Sequence, residues 1–263
     1  MNTNLEYKKY LRKLKLSTAK VIFIQFLILI LFITLWQFLS DKNIINSFLC
    51  SSPKNVVKQT INLIKENGLF IHILVTLKEI LISFILGSII GILVAAILWW
   101  SPFLSKVLDP YLTILNSLPK IALGPIIIIW AGANQNSIIL MALLISVIST
   151  IISVYTGFVN TNPISIKLLR SFNANKAQIF TKVIIPSNIN TIISSSKVCL
   201  AMTFVGVIMG EFLVSKEGLG YLINYGSQVF NTNLVMTGII LLAILTSLLY
   251  VIILVIEKRL NSK

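Results

Sequence analysis

Charge, histidine and cysteine are all scarce in this chain. Only 11% of its 263 residues are charged, with eight acidic side chains, one histidine and two cysteines. A soluble domain is about 25% charged and about 45–50% apolar. Here 56% of the residues are hydrophobic, so too little polar surface exists to coat a globule in water. The same apolar content excludes a disordered chain, which needs low hydrophobicity. Cys50 and Cys199 support neither a disulfide framework nor a thiolate cluster, and His72 alone argues against a metal held by imidazoles. No G-x-x-x-x-G-K-[ST] phosphate loop occurs, so neither ATP binding nor ATP hydrolysis is expected of this chain. What is present is a basic surplus: 22 Lys and Arg give a net charge of +14. In water that surplus would suggest nucleic acid, but the basic residues are scattered over loops and no nucleic-acid partner is expected. In a membrane protein the surplus marks cytoplasmic loops.

Crossing the hydrocarbon core takes about 20 apolar residues, and the chain holds six such runs. They are Val21–Leu39, about Ile71–Trp100, about Tyr111–Trp130, Ile138 to about Val159, about Ile189–Leu213 and about Leu234–Ile256. The first is too long for a signal-peptide core and is followed by no small-residue cleavage site. The expected class is therefore all-α: a polytopic membrane protein with six transmembrane helices. The expected organisation is a basic cytoplasmic N-terminus (1–20) and one transmembrane domain (21–263). Fourteen basic residues fall on one face, among them Lys8, Lys9, Arg12, Lys13, Lys15, Lys20, the 167–182 group and Lys263; five fall on the other (Lys42, Lys54, Lys58, Lys65 and Lys216). Positive residues stay inside, which puts both termini in the cytoplasm.

Several pieces depart from plain lipid-facing helix. Ser52 and Pro53 read as the N-cap and first residue of an external amphipathic helix carrying Val57, Ile61 and Ile64 on one face. Either it rests on the headgroups or it docks an external partner. Ser83, Gly87, Gly91 and Ala95 recur every four residues, a strip of small side chains suited to close helix packing. Pro119, Gly124 and Pro125 interrupt the third span. Each proline removes an intrahelical hydrogen bond, and irregular backbone at membrane depth either lines a path or forms a packing kink. Lys120 and Lys197 lie within spans, where ionisable groups default to functional candidates. Each either attracts an anion or snorkels to the headgroups. Glu211 ends the fifth span and is expected at the external mouth, and His72 is read as an interfacial residue satisfied by water or headgroups.

The loop 160–188 carries the densest signal. Leu168, Leu169, Phe172, Ile179, Phe180 and Val183 supply one apolar face at near-helical spacing, interrupted by Asn173-Ala174-Asn175. Asn tolerates the left-handed conformation that a turn between two short helices requires. Such a pair reads either as a protein docking site or as a solvated amphipathic loop.

The stretch K-L-L-R-S-F-N-A-N-K-A-Q-I-F-T-K-V-I-I-P (Lys167–Pro186) resembles the cytoplasmic coupling motif of binding-protein-dependent ABC transporter permeases, usually E-A-A-x-x-x-G followed at a distance by I/V-x-L-P. L-D-P (108–110), L-N-S-L-P-K-I-A-L-G-P-I-I-I-I-W-A-G (115–132), G-E (210–211) and G-L-G-Y-L-I (218–223) resemble the permeases of the nitrate, aliphatic sulfonate and taurine importers. S-S-P (51–53) and G-L-F-I-H (68–72) fit the same pattern, and the likeness runs from about Ser47 to Leu260. The chain departs from it at Lys167, Leu168 and Leu169, at Asn173 in place of glycine, and at Glu79, where the family often has a basic residue. The resemblance implies a type I importer permease acting as a homodimer. ATPase subunits holding ATP and Mg would dock on Lys167, Leu168, Leu169, Arg170, Phe172, Asn173, Ala174, Phe180 and Pro186. A solute-binding protein would deliver cargo outside, in the cell membrane. Sister permeases carry a thiamine-precursor pyrimidine or riboflavin, which are the alternative cargoes. A secondary transporter would instead show an inverted repeat, and none is seen.

Overall fold

The computed structural model describes residues 3–66 and 68–261, with side chains from Lys20 to Arg259. The basic side chains Lys8, Lys9, Arg12, Lys13, Lys15 and Lys263 lie outside that description. No strand occurs among the described residues, and the expected all-α class holds. Helix α1 spans Thr3–Asp41, α2 Ser47–Cys50, α3 Pro53–Lys65 and α4 Leu69–Trp100. Helix α5 (Pro102–Ser117) is followed by a 3-10 turn (Lys120–Leu123) and α6 (Gly124–Ala131). Then come α7 (Gln135–Val159), α8 (Pro163–Ser171), α9 (Lys176–Ile179), a π-helical segment (Phe180–Ile184) and α10 (Ile185–Ser187). Helices α11 (Ile189–Val214), α12 (Leu219–Gln228) and α13 (Thr232–Asn261) complete the chain.

Five helices are long and apolar enough to cross a membrane: the Lys20–Asp41 part of α1, then α4, α7, α11 and α13. The pair α5 and Lys120–Ala131, bent by 89° at its break, makes a sixth if it crosses as one broken span, and otherwise forms a re-entrant loop. It begins at Pro102, nine residues before the expected start, because Ser101 caps α5 by accepting the Leu104 N–H at 3.2 Å.

Helix α7 is central, packed between α4 and α11. Small residues set the spacing, since helix association in lipid depends on close packing. A Cβ on Gly206 would lie 3.0 Å from the Ala142 Cβ, and one on Gly210 2.9 Å from Ile138 Cγ2. On the other side of α7, Ser83, Gly87, Gly91 and Ala95 are all buried, with Gly87 facing Ser146 and Gly91 facing Thr150. Helix α1 stays peripheral, its apolar side chains from Val21 to Leu35 largely exposed as lipid contact requires. Helix α3 starts as expected: Ser52 accepts the Asn55 N–H at 3.3 Å and Pro53 opens the first turn. Val56 and Leu63 are its buried residues, while Val57, Ile61 and Ile64 remain exposed. The bundle thus has two ends, one carrying α3 and the α11–α12 turn, the other carrying α8.

Candidate functional site

Pro119 and Pro125 bracket the sharp bend, and neither can donate the backbone hydrogen bond that would carry one helix into the next. Leu118 adopts an extended conformation (φ −63°, ψ 142°), as a residue before proline prefers. The bend brings polar groups together at membrane depth. The Lys120 ammonium donates to Asn116 Oδ1 at 3.1 Å, and the Ser149 hydroxyl, midway along α7, donates to the same oxygen at 3.4 Å. Lys120 has no ion-pair partner among the described residues. Gly124 is buried against Met141 and Leu213, whereas Pro125 is exposed.

Lys197 is placed differently. Its ammonium pairs with Glu257 of α13 at 2.7 Å, both side chains about one-fifth exposed. This partner replaces the anion or headgroups expected for Lys197, and no local pattern announces it because the two residues lie 60 positions apart. Removing one member leaves a charge in a poorly hydrated place, a cost of about 1–3 kcal/mol. Lys197→Met is therefore expected to lower thermal stability in detergent, and adding Glu257→Gln should restore most of the loss.

At the α8 end the sequence builds two short helices and a turn. Asn162 caps α8 by accepting the Ile164 N–H at 2.9 Å, and Asn175 forms a reciprocal capping box with Gln178 at 2.8 Å. Between them Asn173 takes φ 55°, the left-handed turn expected of it. The apolar positions do not share one face. Ile179 and Ile184 are buried with Val154 and Phe158, Val183 is buried as well, and Phe180 packs on Phe158, Trp99 and Trp100 at 5.0–6.1 Å between ring centroids. The Lys176 ammonium reaches the Trp100 carbonyl at 2.5 Å and lies over both indoles. This half clamps the loop to the end of α4. The other half is open: Phe172 is 75% exposed, beside exposed Ile164, Leu168, Lys167 and Arg170. Leu169 and Ala174 pack partly on the core, and Pro186 is exposed.

The G-E and G-L-G pieces meet at the α3 end. Glu211 is 1% exposed; the expected place at the mouth is thus corrected, since the α11–α12 turn folds over it. Its carboxylate caps α12, accepting the N–H groups of Gly220 at 2.5 Å and Tyr221 at 3.4 Å, and accepts the Thr76 hydroxyl at 2.6 Å. Thr76 also receives the Leu219 N–H at 2.7 Å. Gly218 has φ 111°, and the carboxylate fills the space a Cβ would need, so glycine is required there. His72 is corrected too: its Nδ1 accepts the Gly218 N–H at 3.0 Å, and its ring stacks on Tyr221. Thr76, Glu79 and His72 share one face of α4 at four- and three-residue spacing, the signal that would have grouped them. Among the described residues no three His, Cys, Asp or Glu side chains gather as a metal site.

Five apolar spans and a sharply bent helical pair around a polar cluster, together with a clamped helical turn at one end, have the make-up of a polytopic transport permease. Residues 87–263 match the family described as binding-protein-dependent transport system inner membrane component, more than half of the chain, and the protein belongs to that family. It is thus the permease type of ABC importers. The formylaminopyrimidine transport permease protein ThiX of Halalkalibacterium halodurans is 28% identical over 195 residues, covering 74% of this chain and 77% of its own. The aliphatic sulfonates transport permease protein SsuC of Bacillus subtilis, itself a provisional assignment, is 25% identical over 228 residues, covering 87% and 83%. A chain of the inward-facing MetNI methionine ABC transporter superposes with a TM-score of 0.62 at 20% identity, covering 72% of this chain and 92% of that one, which shows the shared fold.

Proposed function

We propose that this chain is the pore-forming subunit through which an ATP-driven importer moves a small anion of the aliphatic sulfonate, nitrate or taurine class. Lys120 carries this reading: an ammonium at membrane depth, bound only to a neutral amide, supplies the positive charge an anion lacks on leaving water. Asn116 and Ser149 add hydrogen-bonding groups beside it. The substrate path runs along Pro119, Lys120, Gly124 and Pro125 between two copies of the chain in the cell membrane, with both termini in the cytoplasm. The α8 end then faces the cytoplasm and receives the ATPase subunits, which hold ATP and Mg. The α3 end receives the solute-binding protein. The relative named for formylaminopyrimidine supports a second cargo, a neutral pyrimidine, for which Asn116 and Ser149 are the apt partners.

The test is uptake in cells lacking their own sulfonate importer, supplied with this chain plus an ATPase subunit and a solute-binding protein from the same genome. Lys120→Gln is expected to lower sulfonate uptake about tenfold or more, the loss of one charged hydrogen bond worth about 1.5–3 kcal/mol, while Lys120→Arg retains most of it. Equal uptake by Lys120→Gln and the parent chain would contradict the anion reading, and pyrimidine uptake insensitive to Lys120 would favour the second cargo.

A further inference from the structure

Two buried carboxyl groups meet where α4 packs on α11. Glu79 and Glu211 are each 1% exposed and lie within hydrogen-bonding range of each other. Their supplies of donors differ. Glu211 accepts from Thr76, Gly220 and Tyr221, a set that suits an anion. Glu79 Oε2 is buried with no donor to accept from. Two carboxylates, which when ionised can only accept, do not hydrogen-bond each other. Side by side and shielded from water, such a pair holds one proton between them.

No neighbouring charge replaces that proton. Lys78, the nearest cation on α4, donates to Gln135 Oε1 at 3.4 Å and forms no ion pair with Glu79. His72 has its Nδ1 engaged by the Gly218 N–H. Helix α7 and its N-cap present only uncharged side chains, Asn134 and Gln135, of which Gln135 lies within hydrogen-bonding range of the carboxyl of Glu79, and α12 presents Tyr221. Lys216 and Glu217, on the α11–α12 turn, line the same cavity with opposite charges. That cavity, about 610 Å³, has Glu79 in its wall and is formed at the α3 end by α4, the start of α7 and the α11–α12 turn. It gives water a route to the pair.

We propose that Glu79 is a proton-binding site, loaded through this cavity, whose carboxylic acid donates its O–H to Glu211. The proton closes the junction between α4 and the α11–α12 turn. Loss of the proton leaves two facing anions, and the turn that Glu211 caps loosens. In the orientation proposed above the cavity faces outside, so the junction responds to external pH. The proton-binding site itself rests on the carboxyl pair and not on the transport reading.

The experiment is thermal unfolding of the purified full chain in detergent between about pH 6 and about pH 9, for the parent and Glu79→Gln. The amide N–H of Gln permanently replaces the acid O–H. The parent's Tm is expected to fall by about 3 °C or more more steeply than that of Glu79→Gln, whose Tm at high pH equals or exceeds the parent's. Parallel pH profiles for the two proteins would overturn the proposal. So would a saturable rise of the parent's Tm with sodium at about pH 9 that Glu79→Gln lacks, since a metal cation would then occupy the site. Infrared difference spectra of the parent between the two pH values give a readout independent of any variant. The C=O stretch of a carboxylic acid present at the lower pH and lost at the higher supports the assignment, and its absence at both refutes it.

Discussion

Phe172→Ala is expected to reduce ATP-driven uptake severely while leaving the folded chain intact. Phe172 is 75% exposed and packs on nothing that holds α8 in place. The clamp that fixes the turn lies on the other side, in Phe180, Lys176 and the tryptophans at the end of α4. An exposed aromatic ring flanked by Ile164, Leu168 and two basic side chains has the make-up of an interface anchor. Truncating such an anchor costs about 2 kcal/mol or more, roughly 30-fold in affinity for the ATPase. Co-purification with the ATPase subunit and ATP-driven uptake should fall together, with an unchanged Tm. Phe180→Ala should behave differently, lowering Tm as well, because it removes the packing that joins the turn to α4. Unimpaired ATPase association by Phe172→Ala would remove the turn from the coupling role proposed for it.

Gly206→Leu is expected to abolish folded protein. A Cβ at this position would already overlap the Ala142 Cα and lie 3.0 Å from its Cβ, so a leucine must force α7 and α11 apart along the central contact of the bundle. Effects of this kind exceed about 4 kcal/mol. Gly206→Ala should cost about 3 kcal/mol or more through overpacking, because the atom its Cβ meets is backbone, read as a lower melting temperature in detergent. Gly68→Ala serves as the control, since nothing lies within 4 Å of its Cβ position, and it should change stability by less than about 0.5 kcal/mol.

Most of the architecture was legible because it depends on local chemistry. Span lengths follow from apolar runs, the start of α3 from Ser52-Pro53, and the break from Pro119 and Pro125. The left-handed Asn173 was readable for the same reason. What escaped depends on contacts between distant parts of the chain. Glu257 beside Lys197, Gly218 beside His72 and Thr76 beside Glu211 lie 60 and more positions away, and periodicity carries no information about them. The apolar positions of the 160–188 loop were misjudged as one face because the π-helical segment after Ile179 changes the angular step. That segment turns Val183 and Ile184 into the core, while Phe172, at the end of α8 before the Asn173 turn, stays outside.

The central claim is that this chain transports only as part of an ATP-driven assembly. It is tested most directly in proteoliposomes, with the ATPase subunits and ATP on the α8 side and a solute-binding protein with labelled sulfonate on the other. Uptake is expected only when permease, ATPase, ATP and binding protein are all present. Uptake by the permease alone, driven by an ion gradient, would contradict the account.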